Sequence, residues 1–411
     1  MGGLNAAIGV VDITPTDFPD IRLGGFGLNR RARGVLHPLE AGVSYFASGD
    51  EYVVLVTMDS VGIGLPWIER IRDAVTTLPD KSRIIVCATH AHSVPDTLGY
   101  WGKSLLGVLP RSSGVNPEYM AQIVRDIAAG IDEAVTKAAP ARLRVTEFEI
   151  PPGLVTNHRE GGALDPRGVM LRIDGEDDTP LGCLVNFACH PEGLWDKNRL
   201  VSPDFPHHTR AVMRERGLGH PLFFNGALGG MLTPNIPIKT GAQERQTEVE
   251  RIGRALGELA AAAAEAAPVV PIKGLQLVST PVYLPFTNWR FRLIEKLRVI
   301  SRSQTDGEVR TEMHLVRLNA EAGGDGLQML SIPGEPLPEL GQELRRVLDG
   351  GPTMILGLGC DELGYMLPDE QFNSREYSYE KSMSLGPETA TLLLGAAKRL
   401  AAAPPDTRWA R

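Results

Sequence analysis

The chain has 411 residues, 43% hydrophobic and 22% charged, with a formal net charge of −8 and a mean hydropathy of −0.08. That acidic balance argues against a nucleic-acid groove, and no stretch approaches the roughly 18 uninterrupted apolar residues of a membrane helix. The four cysteines (Cys87, Cys183, Cys189, Cys360) sit in or beside apolar runs without CxxC spacing, which fits buried residues in a reducing compartment rather than a disulfide frame.

The start, MGGLNAAIGVVDITP, carries neither a basic n-region nor an apolar h-region, so the expected location is cytoplasmic. From there apolar runs and helical patterns alternate. Strands are expected at AAIGVVDI, AGVSYFAS, YVVLVTM, RIIVCAT, GVMLRID, LGCLVNFAC, PLFFNGA, GLQMLSI and PTMILGLG. Several are near-continuous hydrophobic runs, as strands covered on both faces should be.

Helices are expected between them. Residues 119–136 carry Ile123, Ile127 and Ile131; 244–266 carry Val249, Ile252, Leu256 and Leu259; 336–348 carry Leu337, Leu340, Leu344 and Val347. Residues 284–306 are the least regular, an amphipathic helix or a lid. The pattern reads as a layered α/β/α domain around a mixed, largely buried sheet, one domain spanning 1–411.

Polar groups follow the buried strands. RIIVCAT runs into His90, LGCLVNFAC into His190, GLQMLSIPG into Glu335 and PTMILGLGCDELG into Tyr365, while PLFFNGALGG leads to Thr233 and Asn235. The carboxyl edge of an open α/β sheet is where ligand sites form. Two histidines and a glutamate suit zinc or a similar divalent ion, three protein ligands plus an open position being the catalytic pattern. Tyr365 could join as phenolate beside a cation. Each feature has a plainer reading: a strand-end histidine hydrogen-bonded into structure, a helix-start acid in Glu335, a turn-capping Asp96. Their coincidence at one sheet edge favours a metal site.

In this order the motifs resemble the neutral ceramidase family, in particular its short members. They are GVVDITP, GFGLNRRARGVLHPLEAG, ATHAHSVPD against T-H-T-H-S-G-P, NFACHP, MLTPN against G-D-x-S-P-N, PGE, LGY and YEKSMSLGPET. The resemblance implies a zinc-dependent amide hydrolase with one zinc per chain, held by His90, His190, Glu335 and Tyr365. It makes His92 a residue facing substrate and nucleophile, and Thr233 the counterpart of the family's serine. Tyr379 becomes the oxyanion donor, with Tyr377 an alternative. Either His158 or Arg159 inherits the role of the family's substrate-binding arginine. Three positions depart from the pattern: Thr233 for serine, Met231 for aspartate and Val94 for glycine. The family's C-terminal immunoglobulin-like domain is not expected. These departures leave ceramide itself open as the substrate.

On this reading the carbonyl of a small or amphiphilic N-acyl substrate is polarised by the metal, and either Thr233 or water attacks while His92 shuttles the proton. Asn235 supports the turn or donates to the oxyanion, and Tyr100 and Trp101 line an apolar pocket or pack under the sheet edge. Arg31 and Arg33 hold a substrate carboxylate or lie in solvent. The alternatives are an ester, lactone or acyl-transfer enzyme, and a zinc-binding homologue without catalysis.

Overall fold

The computed structural model describes residues 3–16, 20–105, 109–296, 304–305, 307–320 and 326–404. All nine expected strands form, but they divide between two sheets. In the first, Ile84–Ala88 lies at one edge. Glu51–Met58, Glu40–Ser48, Asn5–Asp12, Ala139–Glu149, Arg167–Gly175 and Pro180–Phe187 follow, with His220–Asn225 at the other edge. The outermost pairs are parallel and the pairs between them antiparallel. The second sheet runs Ile272–Pro285, Glu308–Ala320, Leu327–Ser331, Thr353–Leu356, the last pair parallel.

Alternation along each strand decides what the sheets pack against. In Pro180–Phe187, Cys183, Val185 and Phe187 face the helices Phe205–Glu215 and Ala242–Ala266, whereas Leu184 joins the opposite cluster. In the second sheet, Leu275, Leu277, Val316 and Met329 share that cluster with the first sheet. Their neighbours Val278, Leu315 and Leu330 pack on Leu340, Leu344, Leu393 and Leu400 of the helices Pro338–Leu348 and Thr389–Ala402. The α/β layering therefore holds, with two facing sheets as its middle.

Helix Pro117–Lys137 starts where the sequence puts a cap: Asn116 Oδ1 accepts from the Tyr119 amide at 3.0 Å, and Pro117 opens the first turn. Its Ile123, Ile127 and Ile131 are buried on the first sheet. Helices Phe205–Glu215 and Ala242–Ala266 touch through Gly253, where a Cβ would sit 2.7 Å from the Phe205 carbonyl oxygen. Among the described residues, no helix is long and apolar enough to cross a membrane.

Candidate metal centre and cleft

Both sheets deliver side chains to one point. Strand Ile84–Ala88 ends, and the backbone turns through His90 at φ +65°. The His90 ring is fixed by its Nδ1, 2.6 Å from the Val61 carbonyl, which leaves Nε2 3.4 Å from Glu335 Oε2. His190, beyond Pro180–Phe187, repeats the device: Nδ1 lies 2.8 Å from the Leu232 carbonyl and Nε2 3.1 Å from the same Glu335 oxygen. A backbone carbonyl at Nδ1 requires a proton there, so Nε2 faces the carboxylate either as the second N–H of an imidazolium or, in the neutral ring, as a lone pair. Lone pairs converging on an anion are unfavourable unless a cation lies between them. The donor set thus fits a bound divalent ion.

Glu335 is held by a short parallel pairing of Glu335–Pro336 with Tyr365–Met366, and its amide donates to the Gly364 carbonyl at 3.0 Å. That pairing sets Tyr365 beside it, buried. Burial disfavours the charge on Glu335, but His90 and His190 outweigh it and hold the carboxyl well below the usual range. His90 is likewise opposed by burial and raised by Glu335 to about 9. Burial, then Glu335, pushes the Tyr365 phenol well above its ordinary value, so a cation would be needed to make it a phenolate.

A cleft of about 480 Å³ opens onto this point. His90, Glu335 and Tyr365 form its floor, with His92 and Tyr379 beside them and Leu98, Tyr100, Trp101, Phe291 and Met383 as apolar walls. The walls are continuous: Tyr100 meets Trp101 edge-on at 5.7 Å and Phe291 at 5.9 Å. Phe291 comes from the helix Trp289–Lys296, within the segment 284–306, whose residues 297–303 and 306 lie outside the described residues. Asp96 shapes the wall loop, its Oδ1 accepting from the amides of Leu98 (3.0 Å) and Gly99 (2.7 Å) and its Oδ2 from Trp101 (2.8 Å). The capping reading of Asp96 matches this geometry.

Tyr379 is half exposed, with its ring 6.0 Å from that of Tyr365. Tyr377 instead stacks under Arg159, whose guanidinium lies 4.0 Å from the ring centroid. Arg159 also donates to the Glu376 carbonyl and pairs with the fully buried Glu380; neither it nor the exposed His158 lines the cleft. Thr233 is buried in Leu232–Pro234, paired with Val155–Asn157, and is not among the cleft residues. Asn235 is exposed and bonds to the carbonyl of Gly153. Arg31 and Arg33 are in solvent.

Three participants escaped the motif reading. Glu192 puts Oε2 3.1 Å from His92 Nδ1; its signal was an acid two residues past His190. Glu362 lines the cleft, its Oε1 accepting from the Gly364 amide at 2.9 Å. Gly25, far away in sequence, lies against the His92 ring. Burial holds His92 down at about 4, although Glu192 opposes it.

A second cluster, Glu312, His314 and Cys360, has metal-ligating atoms equally close together. There, however, Arg72 Nη2 sits 2.5 Å from Glu312 Oε1 and 3.8 Å from Cys360 Sγ. The guanidinium occupies the place of a cation.

No family model matches the chain. Two curated relatives are similar: a neutral ceramidase of Mycobacterium tuberculosis, 25% identical over 226 residues, and one of Pseudomonas aeruginosa, 24% identical over 218. These matches cover 49% and 48% of this chain but 34% and 31% of the relatives. Among solved structures, the neutral ceramidase from Pseudomonas aeruginosa superposes with a TM-score of 0.76 at 17% identity, over 99% of this chain and 76% of that one. A ceramidase complexed with C2 gives 0.75 at 16% identity, over 99% and 77%. In sequence over about half its length and in fold over nearly all of it, the chain is similar to neutral ceramidases, the family its motifs resemble.

Proposed function

We propose that the chain is a zinc-dependent hydrolase that cleaves the amide bond of a small or amphiphilic N-acyl substrate, with one zinc per chain. The observation that carries this reading is the pair of His90 and His190 Nε2 atoms, 3.4 and 3.1 Å from one Glu335 oxygen, with His90 and Glu335 lining an apolar cleft. His90, His190, Glu335 and Tyr365 would hold the ion. When bound, zinc polarises a carbonyl and lowers the pKa of water to about 7.

This chain's own residues do the rest. Leu98, Tyr100, Trp101, Phe291 and Met383 receive the acyl part and exclude water. His92 accepts the proton of the attacking nucleophile and returns it to the leaving amine. The Tyr379 hydroxyl donates to the oxyanion; its pKa, raised to about 12 by burial and then by Glu335, keeps it a donor at neutral pH. Thr233 is buried and absent from the cleft lining, which supports water rather than the threonine hydroxyl as nucleophile. Arg159, held by Glu380, supports the Tyr377–Tyr379 turn from behind.

Elemental analysis of wild type beside His190→Ala, followed by turnover of a chromogenic N-acyl amide and its matched ester, tests the reading. One zinc per chain, lost in the mutant, with amide cleavage, is the expected result. Ester cleavage alone would move the chain to ester or lactone chemistry. Bound zinc with no turnover of either would make it an inert zinc protein, and no zinc in wild type would end the proposal.

A further inference from the structure

His92 is held more firmly than a substrate contact requires. Its amide donates to the Pro191 carbonyl at 3.0 Å, and Arg30 Nη1 and Nη2 both donate to its own carbonyl at 3.1 Å. On one side of the ring lies Gly25 at φ +93°, where a Cβ would fall 2.3 Å from His92 Cγ; Phe26 meets the ring edge-on at 5.1 Å. Behind it, Glu192 Oε2 stands 3.1 Å from Nδ1. Glu192 comes from the segment that follows His190, so one turn carries both a candidate ligand and the partner of the neighbouring imidazole. Among the described residues neither ring nitrogen has a partner of hydrogen-bond geometry: the Glu192 oxygen lies near Nδ1 but off the direction of an N–H there, and Nε2 faces no partner at all.

A neutral imidazole carries its proton on one nitrogen, and its neighbour chooses which. With the proton on Nε2, the Nδ1 lone pair would face a carboxylate oxygen at 3.1 Å, a repulsive contact in a buried site. With the proton on Nδ1, the same contact becomes an attraction between the N–H dipole and the carboxylate, and Nε2 is free to accept.

We propose that Glu192 is the positioning residue of His92: it fixes the Nδ1–H tautomer and so presents Nε2 to the cleft as the proton acceptor. The assignment rests on the hydrolase reading for its purpose, but its geometry is independent of turnover. Glu192 does not touch substrate; it acts through His92, as the carboxylate of a catalytic triad acts through its histidine. His92 is accordingly a base and not a third imidazole ligand, although the donor atoms of His90, His92 and His190 lie within 4.8 Å of one another.

The experiment uses the full, zinc-loaded chain as wild type, Glu192→Ala, Glu192→Asp and His92→Asn. Imidazole ¹⁵N spectra, with His92 assigned by difference against His92→Asn, report the tautomer; zinc content and turnover of an N-acyl amide are read alongside. Expected are a Nδ1–H tautomer in wild type, a mixed population in Glu192→Ala, and unchanged zinc in all variants. In Glu192→Ala kcat should fall by about 10²–10⁴-fold with KM within a few-fold, and added formate should restore part of it by filling the vacated carboxylate position. Glu192→Asp, which folds with the same charge, should keep the tautomer and recover part of the rate. An Nε2–H tautomer in wild type, an unaltered tautomer and rate in Glu192→Ala, or loss of zinc from His92→Asn or Glu192→Ala would overturn the proposal. A correct tautomer with zinc bound but no amide turnover would instead sink the hydrolase reading and leave the positioning intact.

Discussion

Glu312→Gln tests whether the chain holds one metal site or two. In the fold Glu312 Oε1 contacts Arg72 Nη2 at 2.5 Å and His314 Nε2 at 3.0 Å, and the side chains are at most 9% exposed. Ser279 Oγ closes the other side of His314, 2.7 Å from Nδ1. Burial works against charge on both partners. Nevertheless His314 and Arg72 hold Glu312 well below the usual carboxyl range, while Cys360 and Glu312 raise His314 to about 9. Neutralising Glu312 leaves the buried Arg72 guanidinium without its carboxylate and weakens the hold on the His314 proton, a change that costs about 3–5 kcal/mol.

The sign in pH follows. Glu312, depressed in the fold, contributes stability above the ordinary carboxyl pKa that is lost as pH falls below it. His314, raised in the fold, contributes stability below about 6.5 that is lost as pH climbs toward about 9. Urea unfolding of wild type and Glu312→Gln across pH 2–10, with zinc content measured on both at neutral pH, is the assay. The mutant should lose most of both limbs and keep its zinc. A cost under about 0.5 kcal/mol would refute the charge-network account, and loss of one of two zinc ions would show the cluster to be a metal site.

Three further outcomes are expected. Asp96→Ala removes the acceptor of three amides in the wall loop; it should cost about 2–4 kcal/mol in chemical denaturation and raise KM more than it lowers kcat. His37 stacks on His207 and His208 meets both edge-on, and burial lowers His37, His207 and His208 to about 4, 3 and 4. The unfolded chain therefore binds more protons than the fold between about pH 4 and 6.5, so Tm should drop through that window as pH falls, and less steeply in His207→Gln. Zinc at a hundred times its Kd should add about 2.7 kcal/mol, near 3 °C in Tm for a chain of this length; a chelator should remove the increment, and His190→Ala should never show it.

The strands that were legible are those covered on both faces, such as Glu51–Met58 and Ile84–Ala88, because unbroken apolar runs have few other uses. Ala139–Glu149, Ile272–Pro285 and Glu308–Ala320 escaped notice. In Ala139–Glu149, for instance, Leu143 and Val145 point inward and alternate with Arg142, Arg144 and Thr146, which look irregular in a search for apolar runs. Without them the second sheet, and the facing of the two sheets, could not be inferred. The site divides in the same way. His90, His190, Glu335 and Tyr365 each follow a legible strand, so their edge position could be read directly. Glu192, two residues past His190, and Gly25, which opens GFGLNRR, lie in or beside readable motifs, but their contact with the His92 ring joins distant segments and leaves no local pattern.

The two-sheet arrangement also explains why an expensive charge network lies close to the centre. His90 and His190 follow strands of the first sheet, while Glu335 and Tyr365 follow strands of the second and pair in a short ladder of their own, so the spacing of the set depends on how the sheets are joined. The seam is stitched by backbone: Ala88 N to Leu358 O at 3.2 Å, Cys360 N to Val86 O at 2.8 Å and Gly357 N to Asn225 O at 3.0 Å. To make these bonds Leu358 and Cys360 adopt φ of +52° and +68°, a conformation L-residues avoid at a cost of order 1–3 kcal/mol each. Arg72 reaches the same seam from helix Leu65–Ala74, donating to the Ile84 carbonyl through Nε (3.0 Å) and Nη2 (2.7 Å) while it holds Glu312 of the second sheet. Apolar side chains there would give comparable stability yet tolerate small slips, since dispersion is weakly directional. A guanidinium bonded to a carbonyl of one sheet and a carboxylate of the other tolerates very little. Directional bonds at the seam fix the relative placement of the sheets, and with it the distance from His90 and His190 to Glu335.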